Sequence, residues 1–243
     1  MKIGIIPARY ASTRFPGKPL VLIQDKPMII NVYERCKEAD LDDLYVATED
    51  ERIKNTVEKF GGKVIMTNPH HVSGTDRCAE AAHLLRLTDN DIVINIQGDE
   101  PFIRKEEINL LANMFENSNT QIATLCKPIS IKEELLNPNK VKVVFTKSNK
   151  ALYFSRSPIP HLPNLTPAFL PFPHTSFKHI GIYGYRNSIL QQITKLPVST
   201  LEETENLEQL RWLQNDFDIH IQICHYESIS IDTPEDMILY QMM

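Results

Sequence analysis

Hydrophobic positions along the first hundred residues alternate between two spacings. Short runs rich in β-branched residues are each followed by a longer stretch with helical spacing. The runs lie at 3–6, 44–47 and 64–66, and the helical stretches lie at 28–37, 51–60 and 75–85. This order predicts an α/β fold with a mostly parallel sheet and crossover helices. At 243 residues, the chain is expected to form a single domain over residues 1–243.

The strongest candidate for a central strand is the run DIVINI at 91–96. Nearly continuous β-branched residues suit a strand that is covered on both faces. The run ends in QGDEP at 97–101, and open α/β sheets bind their ligands at the carboxyl ends of such strands. Asp99 is therefore predicted to lie at the ligand-binding edge.

The second half of the chain has a different pattern. The predicted strands lie at 141–145, 151–154 and 179–185. The many prolines between Ser157 and His174 predict a loop in extended or turn conformations. A helix is expected from about Asn206 to Gln214, and a last strand and helix are expected to flank Ser228–Pro234. No internal repeat is present.

Composition excludes several classes of protein. The formal net charge of -5 gives no general electrostatic basis for nucleic-acid binding. No apolar run approaches the ~20 residues that cross a bilayer, and the apolar start of the chain is too short for a signal-peptide core. The cysteines include no C-x-x-C pair, which argues against a zinc site or a disulfide framework. We therefore expect a cytoplasmic protein with buried free thiols and no membrane insertion.

A basic loop follows the first predicted strand. Arg9, Arg14 and Lys18 offer two planar guanidinium groups and one ammonium group, which suit the oxygens of a nucleoside triphosphate. A P-loop would need a glycine at position 12 and Ser or Thr at position 19, whereas Ser12 and Pro19 stand there. A Rossmann fingerprint is also missing, so side chains are expected to grip the phosphates. The alternative is a solvated basic loop.

Two aspartates are candidates for a magnesium site. Mg²⁺ prefers hard oxygen ligands and commonly takes one or two carboxylates together with substrate phosphates, and Asp99 and Asp232 could supply them. Considered alone, Asp232 is better explained as an N-cap, because Pro234 follows at the first turn of a predicted helix. The sequence by itself does not pair the two carboxylates.

Three further segments carry candidate chemistry. The sequence SGTDR at 73–77 opens a predicted helix, and its backbone N–H groups could meet a phosphate or a base carbonyl, or could form a plain helix start. Arg156 could hold a carboxylate in a bidentate manner. His179 and Tyr183 lie on one face of a predicted strand, because strand side chains alternate between faces. A lone histidine on a strand is usually structural.

Nine segments carry a resemblance to a known family. They are IIPARYASTRFPGKPL (5–20), KPMI (26–29), SGTDR (73–77), NIQGDEP (95–101), NPNKVKVV (137–144), ALYFSRSPIP (151–160), KHIGIYGYR (178–186), LEQLRWL (207–213) and DTPEDM (232–237). Together they closely resemble the Kdo (3-deoxy-manno-octulosonate) cytidylyltransferase family, over nearly the whole chain from Ile5 to about Asp236.

The resemblance implies an activity and a cofactor. A member of this family transfers CMP from CTP to the anomeric hydroxyl of Kdo, releases pyrophosphate and forms CMP-Kdo for lipopolysaccharide biosynthesis, with Mg²⁺ as cofactor. The implied fold is of the nucleotide-diphospho-sugar transferase type. In it, residues from about 137 to 197 contribute to a homodimer contact and to one wall of the sugar pocket.

The resemblance also implies roles for individual residues. The CTP-binding positions are Ala8, Arg9, Arg14, Lys18, Gly74, Thr75 and Arg77. The Kdo-binding positions are Gln97, Arg156, His179, Tyr183, Glu208 and Gln209. The catalytic positions are Arg9, Arg14, Lys18 and Asp99. The magnesium ligands are Asp99 and Asp232, which reverses the preference for Asp232 as a helix cap.

The chain departs from the family pattern at two places, and other functions stay open. Val21–Asp25 replaces an Asp-Ile pair and a glycine, and Ser228 and Ser230 replace a glycine-containing stretch, so a stiffer approach to the metal is expected. A cytidylyltransferase for an amino analogue of Kdo is an open alternative. A CMP-sialic acid synthetase fits the SRSPIP and HIGIYGY segments less well. A CTP-binding protein without catalytic activity is the alternative from another class.

Overall fold

Nine strands form one mixed sheet in the computed structural model, which describes residues 1–11, 15–162 and 176–226 together with Ile231 and Asp236. Two further short strands, β2 and β3, pair only with each other. In chain order the described strands are β1 (Lys2–Ala8), β2 (Leu22–Ile23), β3 (Lys26–Pro27), β4 (Asp43–Thr48), β5 (Val64–Met66), β6 (Ile92–Asn95), β7 (Ile122–Pro128), β8 (Lys142–Phe145), β9 (Ala151–Ser155), β10 (Phe177–Arg186) and β11 (Ile219–Ile223).

The order across the main sheet is β11-β7-β10-β6-β1-β4-β5, and β8 and β9 extend it from β10. The pairs β1–β4, β1–β6, β4–β5 and β7–β11 are parallel. Strand β10 runs antiparallel between β6 and β7. The predicted α/β fold with a mostly parallel sheet is confirmed. Because β1, β4, β5 and β6 run the same way, their carboxyl ends meet at one edge.

Helices cover both faces of the sheet. In chain order the described helices are α1 (Met28–Cys36), α2 (Glu51–Lys59), α3 (Gly74–Leu84), α4 (Lys105–Asn113), α5 (Lys132–Leu136), α6 (Asn187–Ile193), α7 (Thr200–Glu205) and α8 (Gln209–Gln214). Side chains of α1, α2 and α4 form an apolar core on one face, and side chains of α3, α6 and α8 form another core on the opposite face. Burying one large aliphatic side chain in such a core contributes about 1.5–3 kcal/mol.

Local sequence explains where several helices begin. Asp50 caps α2, because its side chain accepts from the backbone N–H of Arg52. Ser73 and Asp76 form a reciprocal capping box at the start of α3. These polar caps satisfy backbone donors that have no partner inside the helix.

The cysteines are divided between the two faces. Cys36 and Cys224 belong to one core, and Cys78 and Cys126 belong to the other. All four are buried free thiols, as expected from the sequence. Among the described helices, none is both long enough and apolar enough to cross a lipid bilayer.

The predicted strands agree with the structure in both halves of the chain, because those at 141–145, 151–154 and 179–185 are β8, β9 and β10. The helix predicted from Asn206 is wrong at its start, because Asn206 adopts a left-handed conformation at φ 52° and ends α7, and α8 starts at Gln209. Helices α4, α5, α6 and α7 and strands β2, β3 and β7 were not predicted. Residues 163–175 of the proline-rich segment, and most of the segment after 226, lie outside the described residues. The single-domain expectation stays a prediction.

Gly184 tests how tightly the sheet packs against the segment after α4. A Cβ atom at Gly184 would lie 2.5 Å from Cε2 of Phe115 and 3.2 Å from Cδ1 of Ile94. We expect Gly184→Ala to lower the free energy of unfolding by about 1–3 kcal/mol, because the added methyl overpacks the core. Equilibrium denaturation with urea measures this change.

The matched control is the same substitution in a Phe115→Leu background. Because the smaller side chain removes the clash, we expect Gly184→Ala to cost less there than in the native background. An equal cost in both backgrounds would contradict the packing argument.

Candidate active site

A cleft of about 240 Å³ opens at the carboxyl edge of the parallel strands. It is formed by the residues that follow β1 and β6 and by the start of α3. Seven of its lining residues are positions predicted from the sequence: Ala8, Arg9, Lys18, Gly74, Arg77, Gln97 and Asp99. The structure therefore brings together three segments that are far apart in the chain.

A lysine and an aspartate face each other across this cleft. Lys18 Nζ donates to Asp99 Oδ2 at 2.7 Å, and the two side chains are 15% and 30% exposed. The lysine starts a single 3₁₀ turn, Lys18–Leu20, and Gly17 precedes it at φ 73°, which glycine adopts without strain. The pair places a cation and a carboxylate where a phosphate or a metal ion can meet both.

The loop after β6 approaches the end of β1 closely. A Cβ atom at Gly98 would lie 3.1 Å from the carbonyl oxygen of Pro7. Glycine therefore permits this approach, and any larger residue would push the two loops apart. This contact keeps Asp99 beside Ala8 and Arg9, the first residues of the basic loop.

The N-terminus of α3 forms the opposite wall. Ser73 Oγ accepts from the backbone N–H of Asp76 at 3.1 Å, and Asp76 Oδ2 accepts from the backbone N–H of Ser73 at 3.3 Å. Ser73 and Gly74 line the cleft. The positive end of a helix dipole stabilises anions, so this wall suits a phosphate.

Thr75 faces away from the cleft. Its Oγ1 donates to Glu208 Oε2 at 2.7 Å, and the residue is only 4% exposed. Burial raises the pKa of Glu208, and the hydrogen bonds from Thr75 and Ser73 act in the opposite direction. The hydrogen bond links the start of α3 to the start of α8, where Gln209 is also buried.

Arg77 lies at the back of the cleft in a buried polar network. Its Nη1 donates to Thr67 Oγ1 at 2.6 Å, and its Nη2 lies 2.7 Å from Glu49 Oε2. Glu49 Oε1 also accepts from the backbone N–H of Tyr10 at 3.2 Å. The network joins the carboxyl ends of β1, β4 and β5 to the first turn of α3.

A second cleft of about 210 Å³ lies beside the first. The two are neighbours at Gly181, where an added Cβ atom would lie 3.9 Å from Gln97 Cγ and from Glu100 Oε1. The wall of the second cleft includes His179 and three lysines, Lys127, Lys140 and Lys178. Glu100 lines the same wall and Lys178 pairs with Glu134, so the wall carries only a small excess of positive charge.

An aromatic cluster connects β10 to α8. The ring centroids of His179 and Tyr183 are 5.1 Å apart, and Trp212 meets Tyr183 edge-to-face at 5.2 Å. The Tyr183 hydroxyl is buried and has no hydrogen-bond partner among the described residues, and burial raises the pKa of Tyr183. Tyr183 is not among the residues that line the two clefts, so its implied contact with the sugar stays a prediction.

His179 is uncharged at neutral pH. Its Nε2 lies 2.9 Å from Thr124 Oγ1, and burial lowers the pKa of His179 to about 3. The ring can therefore exchange a hydrogen bond with a ligand at pH 7, but it does not supply a positive charge.

Arg156 lies outside the residues that line the two clefts. Its guanidinium group donates to the backbone carbonyl groups of Glu205, Pro138 and Asn206. The implied role of Arg156 as the ligand of a carboxylate stays a prediction.

Asp99 is the implied magnesium ligand that the structure describes. In the described part of the chain, no group of three or more His, Cys, Asp or Glu side chains is arranged to hold a metal ion. One carboxylate beside an anion-binding cleft nevertheless fits Mg²⁺, which often completes its shell with water and substrate phosphates. The backbone N–H of Ile231 donates to the carbonyl oxygen of Asp99 at 2.9 Å. Asp232 and Arg14 themselves lie outside the described residues.

Sequence reasoning missed Glu49, Thr67 and Tyr10. Glu49 and Thr67 directly follow β4 and β5. Open α/β sheets bind ligands at the carboxyl ends of their strands, and this rule, which selected Asp99, also applied to Glu49 and Thr67. The Tyr10 ring packs against Gly17, where an added Cβ atom would lie 3.1 Å from Tyr10 Cζ. On the same ring, the guanidinium carbon of Arg52 lies 3.3 Å from the centroid. No signal in the sequence pattern indicated that stacking.

An open, largely parallel sheet with a cleft at its carboxyl edge is the arrangement in which α/β proteins bind their ligands, so the chain is an α/β protein of this ligand-binding class. The sequence model of the cytidylyltransferase family matches residues 3–221. The chain therefore belongs to the cytidylyltransferase family.

Three similar proteins show which cytidylyltransferases this chain resembles. The 3-deoxy-manno-octulosonate cytidylyltransferase of Parabacteroides distasonis is 54% identical over 240 residues, covering 97% of this chain and 94% of that protein. The 8-amino-3,8-dideoxy-manno-octulosonate cytidylyltransferase of Shewanella putrefaciens is 49% identical over 238 residues, covering 97% and 95%. The solved structure of CMP:2-keto-3-deoxy-manno-octonic acid synthetase in complex with CTP is 42% identical, has a TM-score of 0.90, and covers 99% and 97% of the two chains. The resemblance to the Kdo cytidylyltransferase family is confirmed.

The lowered pKa of His179 makes a prediction about stability. The unfolded chain binds a proton at this residue near the ordinary value of 6.5, whereas the folded chain does so only at about 3. The contribution of His179 is therefore present above pH 6.5 and is lost as pH falls toward 3. We expect the stability advantage of the native chain over a His179→Gln variant to shrink by about 2 kcal/mol between pH 8 and pH 5.

Urea denaturation of both chains at the two pH values measures this difference. The matched comparison cancels the titration of every other group that the substitution leaves unchanged. A stability difference that is the same at pH 8 and pH 5 would show that His179 titrates normally.

Proposed function

We propose that this protein transfers CMP from CTP to the anomeric hydroxyl of Kdo, releases pyrophosphate and forms CMP-Kdo. The observation that carries the proposal is the Lys18–Asp99 pair at a cleft formed by the ends of β1 and β6 and the start of α3. The names of its relatives, and the CTP complex of the similar solved structure, support the choice of nucleotide and sugar.

The nucleotide is proposed to occupy the first cleft. Arg9 and Lys18 supply positive charge there, and Ser73 and Gly74 present the positive end of α3. Arg14 completes the basic loop by the family resemblance. Because the chain has no glycine-rich phosphate motif, these side chains and the helix end are proposed to hold the triphosphate.

The acceptor sugar is proposed to lie near Gln97, His179, Tyr183, Glu208 and Gln209. The buried hydroxyl of Tyr183, the neutral ring of His179 and the carboxyl group of Glu208 are hydrogen-bonding groups in an otherwise aromatic region. A sugar with many hydroxyl groups satisfies such groups. The neighbouring cleft has more lysines than carboxylates in its wall, and this small excess of positive charge suits an acid sugar.

The proposed reaction is one in-line displacement. The anomeric oxygen forms a bond to the α-phosphorus of CTP, the bond from that phosphorus to the bridging oxygen breaks, and pyrophosphate leaves while the hydroxyl proton is released. Lys18 and Arg9 stabilise negative charge on the phosphate oxygens, and the acceptor site holds the attacking oxygen in line. No covalent intermediate with the protein is needed.

Asp99 is proposed to hold Mg²⁺ together with Asp232. A carboxylate that lines an anion-binding cleft is a suitable ligand for this ion. When bound, Mg²⁺ would supply positive charge to the phosphates and to the attacking oxygen.

The cellular setting is part of the proposal. Four buried free thiols suit the reducing cytoplasm, and the product would be activated Kdo for lipopolysaccharide biosynthesis.

We also propose a homodimer, with residues from about 137 to 197 at the contact. Leu152, at 60% exposure, supports this choice, because it lies on β9, which pairs only with β8 among the described strands. Sedimentation velocity of the purified chain tests the dimer.

The activity is tested by pyrophosphate release from the purified protein with Mg²⁺. Each of the four ribonucleoside triphosphates is supplied with Kdo, with its 8-amino analogue, with sialic acid or without a sugar. Release that requires both CTP and Kdo supports the proposal. Release with the 8-amino analogue alone would favour the second candidate, which the 49% identical Shewanella relative suggests. Tight CTP binding without release would indicate a non-catalytic binding protein.

Asp99 is expected to be essential for turnover. We expect Asp99→Asn to reduce kcat by about 10²-fold or more with little change in folding, because the substitution removes a ligand charge at the reacting phosphate. Asp216→Asn is a matched control, because Asp216 is exposed and adopts φ 63°, which Asn tolerates. Near-native turnover of Asp99→Asn would refute the assignment.

A further inference from the structure

Lys142 is a lysine whose side chain is completely buried. It is the first residue of β8, the strand that lies between β9 and β10, and it is 0% exposed. Burial lowers the pKa of Lys142, and the nearby guanidinium group of Arg156 acts in the same direction. Lysine is rarely buried completely without a carboxylate partner, yet this ammonium group makes its hydrogen bonds to backbone carbonyl groups in the described part of the chain.

The two carbonyl groups that Lys142 binds belong to Asn137 and Arg156. Its Nζ donates to the carbonyl oxygen of Asn137 at 2.9 Å and to the carbonyl oxygen of Arg156. Asn137 directly precedes Pro138, whose carbonyl oxygen accepts from Arg156 Nη1 at 3.1 Å. Lys142 therefore fixes Arg156 twice, once at its backbone and once through the segment that binds its side chain.

Glu205, the last residue of α7, holds the other side of Arg156. Its Oε2 accepts from the backbone N–H of Arg156 at 2.9 Å, and its carbonyl oxygen accepts from Arg156 Nε at 2.8 Å. The next carbonyl group, that of Asn206, accepts from Nη2 at 3.1 Å. The N–H and the carbonyl group of Arg156 are thus bound by side chains from two different elements, α7 and β8.

The guanidinium group of Arg156 keeps two N–H groups for a ligand. Arginine has five N–H donors, and the three backbone acceptors take one from each nitrogen. One N–H on Nη1 and one on Nη2 have no acceptor among the described residues, and Arg156 is partly exposed. A planar fork that is already fixed loses little side-chain entropy when it binds a carboxylate.

We propose that Lys142 is a positioning residue that, opposite Glu205, fixes Arg156 for the carboxylate of the acid sugar. Because Lys142 is completely buried, it acts through Arg156 and not by touching the sugar. The inference rests on the proposed function, because it concerns the acceptor side of that reaction.

Lys142→Met tests the proposal, because methionine is similar in length and removes both hydrogen bonds. The acceptor is Kdo or its 8-amino analogue, whichever the native chain uses, since both carry the C1 carboxylate. We expect KM for the sugar to rise by about tenfold, with kcat within about threefold and KM for CTP within about twofold of native. An unchanged KM for the sugar, or an equal rise in both KM values, would overturn the proposal.

Lys150→Met is the matched control. Lys150 directly precedes β9, and its Nζ binds Asp218 Oδ2 at 2.5 Å. It removes the same ammonium group from the neighbouring strand without touching the contacts of Arg156, so we expect native kinetics. If Lys150→Met raised KM for the sugar as much as Lys142→Met does, the effect would not be specific to Arg156 and the proposal would fail.

A double-mutant cycle shows whether Lys142 acts through Arg156. In an Arg156→Gln background the positioned group is missing, so we expect Lys142→Met to raise KM for the sugar by less than about twofold. The same rise of about tenfold in both backgrounds would show that Lys142 acts independently of Arg156, and this would overturn the inference.

Glu205→Gln keeps the inference testable if Lys142→Met does not fold. Glu205 is partly exposed, and its amide analogue loses one of the two acceptor oxygens that hold Ser155 Oγ and the N–H of Arg156. We expect KM for the sugar to rise while KM for CTP stays within about twofold of native. Native kinetics in this variant would show that Arg156 needs no such support.

Hydrogen exchange gives a readout that does not depend on activity. We expect the backbone amides of residues 153–158 to exchange faster in Lys142→Met than in the native chain, measured by mass spectrometry without any ligand. Unchanged exchange would overturn the role of Lys142. A native chain that is inactive with both acid sugars would instead refute the proposed function, and the exchange rates would still decide whether Lys142 holds Arg156.

Discussion

The parallel pairing of β1 with β6 holds two walls of the first cleft together, because the segments with Ala8 and Asp99 leave the sheet from these strands. Ile5 lies opposite Asn95 in this register, so the two chains leave the sheet side by side. Gly98 then permits the close approach to Pro7 that precedes the Lys18–Asp99 contact. A slip of one residue would turn the side chains of β6 to the opposite faces and would remove the glycine from the contact.

Polar links between separate elements stabilise the ligand-binding edge, whereas the two faces of the sheet are held by apolar packing. Arg77 joins Glu49 and Thr67, Thr75 joins Glu208, and Arg156 joins the end of α7. Hydrogen bonds fix direction as well as distance, so they suit an edge where side chains must be aimed. Breaking one member of a buried set leaves its partners unsatisfied, which is why such links are sensitive to substitution.

The alternation of strands and helices could be predicted from the sequence, because the spacing of hydrophobic residues differs between a strand and a helix and shows which face is buried. The run at 91–96 and the SGTDR segment were placed correctly for this reason, and the rule for carboxyl ends brought Arg9, Lys18 and Asp99 to one cleft. The orientation of Thr75 was not readable, because it depends on Glu208, 133 positions away. The helix predicted from Asn206 was wrong at its start because the hydrophobic pattern carries no sign of a left-handed residue there, and only the backbone angle shows the turn.

The division of cysteines between the two cores has a consequence for how the protein can be studied. Burial raises the pKa of Cys36 and Cys224 on one face and of Cys78 and Cys126 on the other. The thiolate is the reactive form of cysteine, and burial both suppresses the thiolate and blocks access to the sulfur. An alkylating reagent therefore reacts with each sulfur only when its layer of helices separates from the sheet. Labelling rates at the four thiols therefore report the opening of each layer in the native state, without any probe added to the chain.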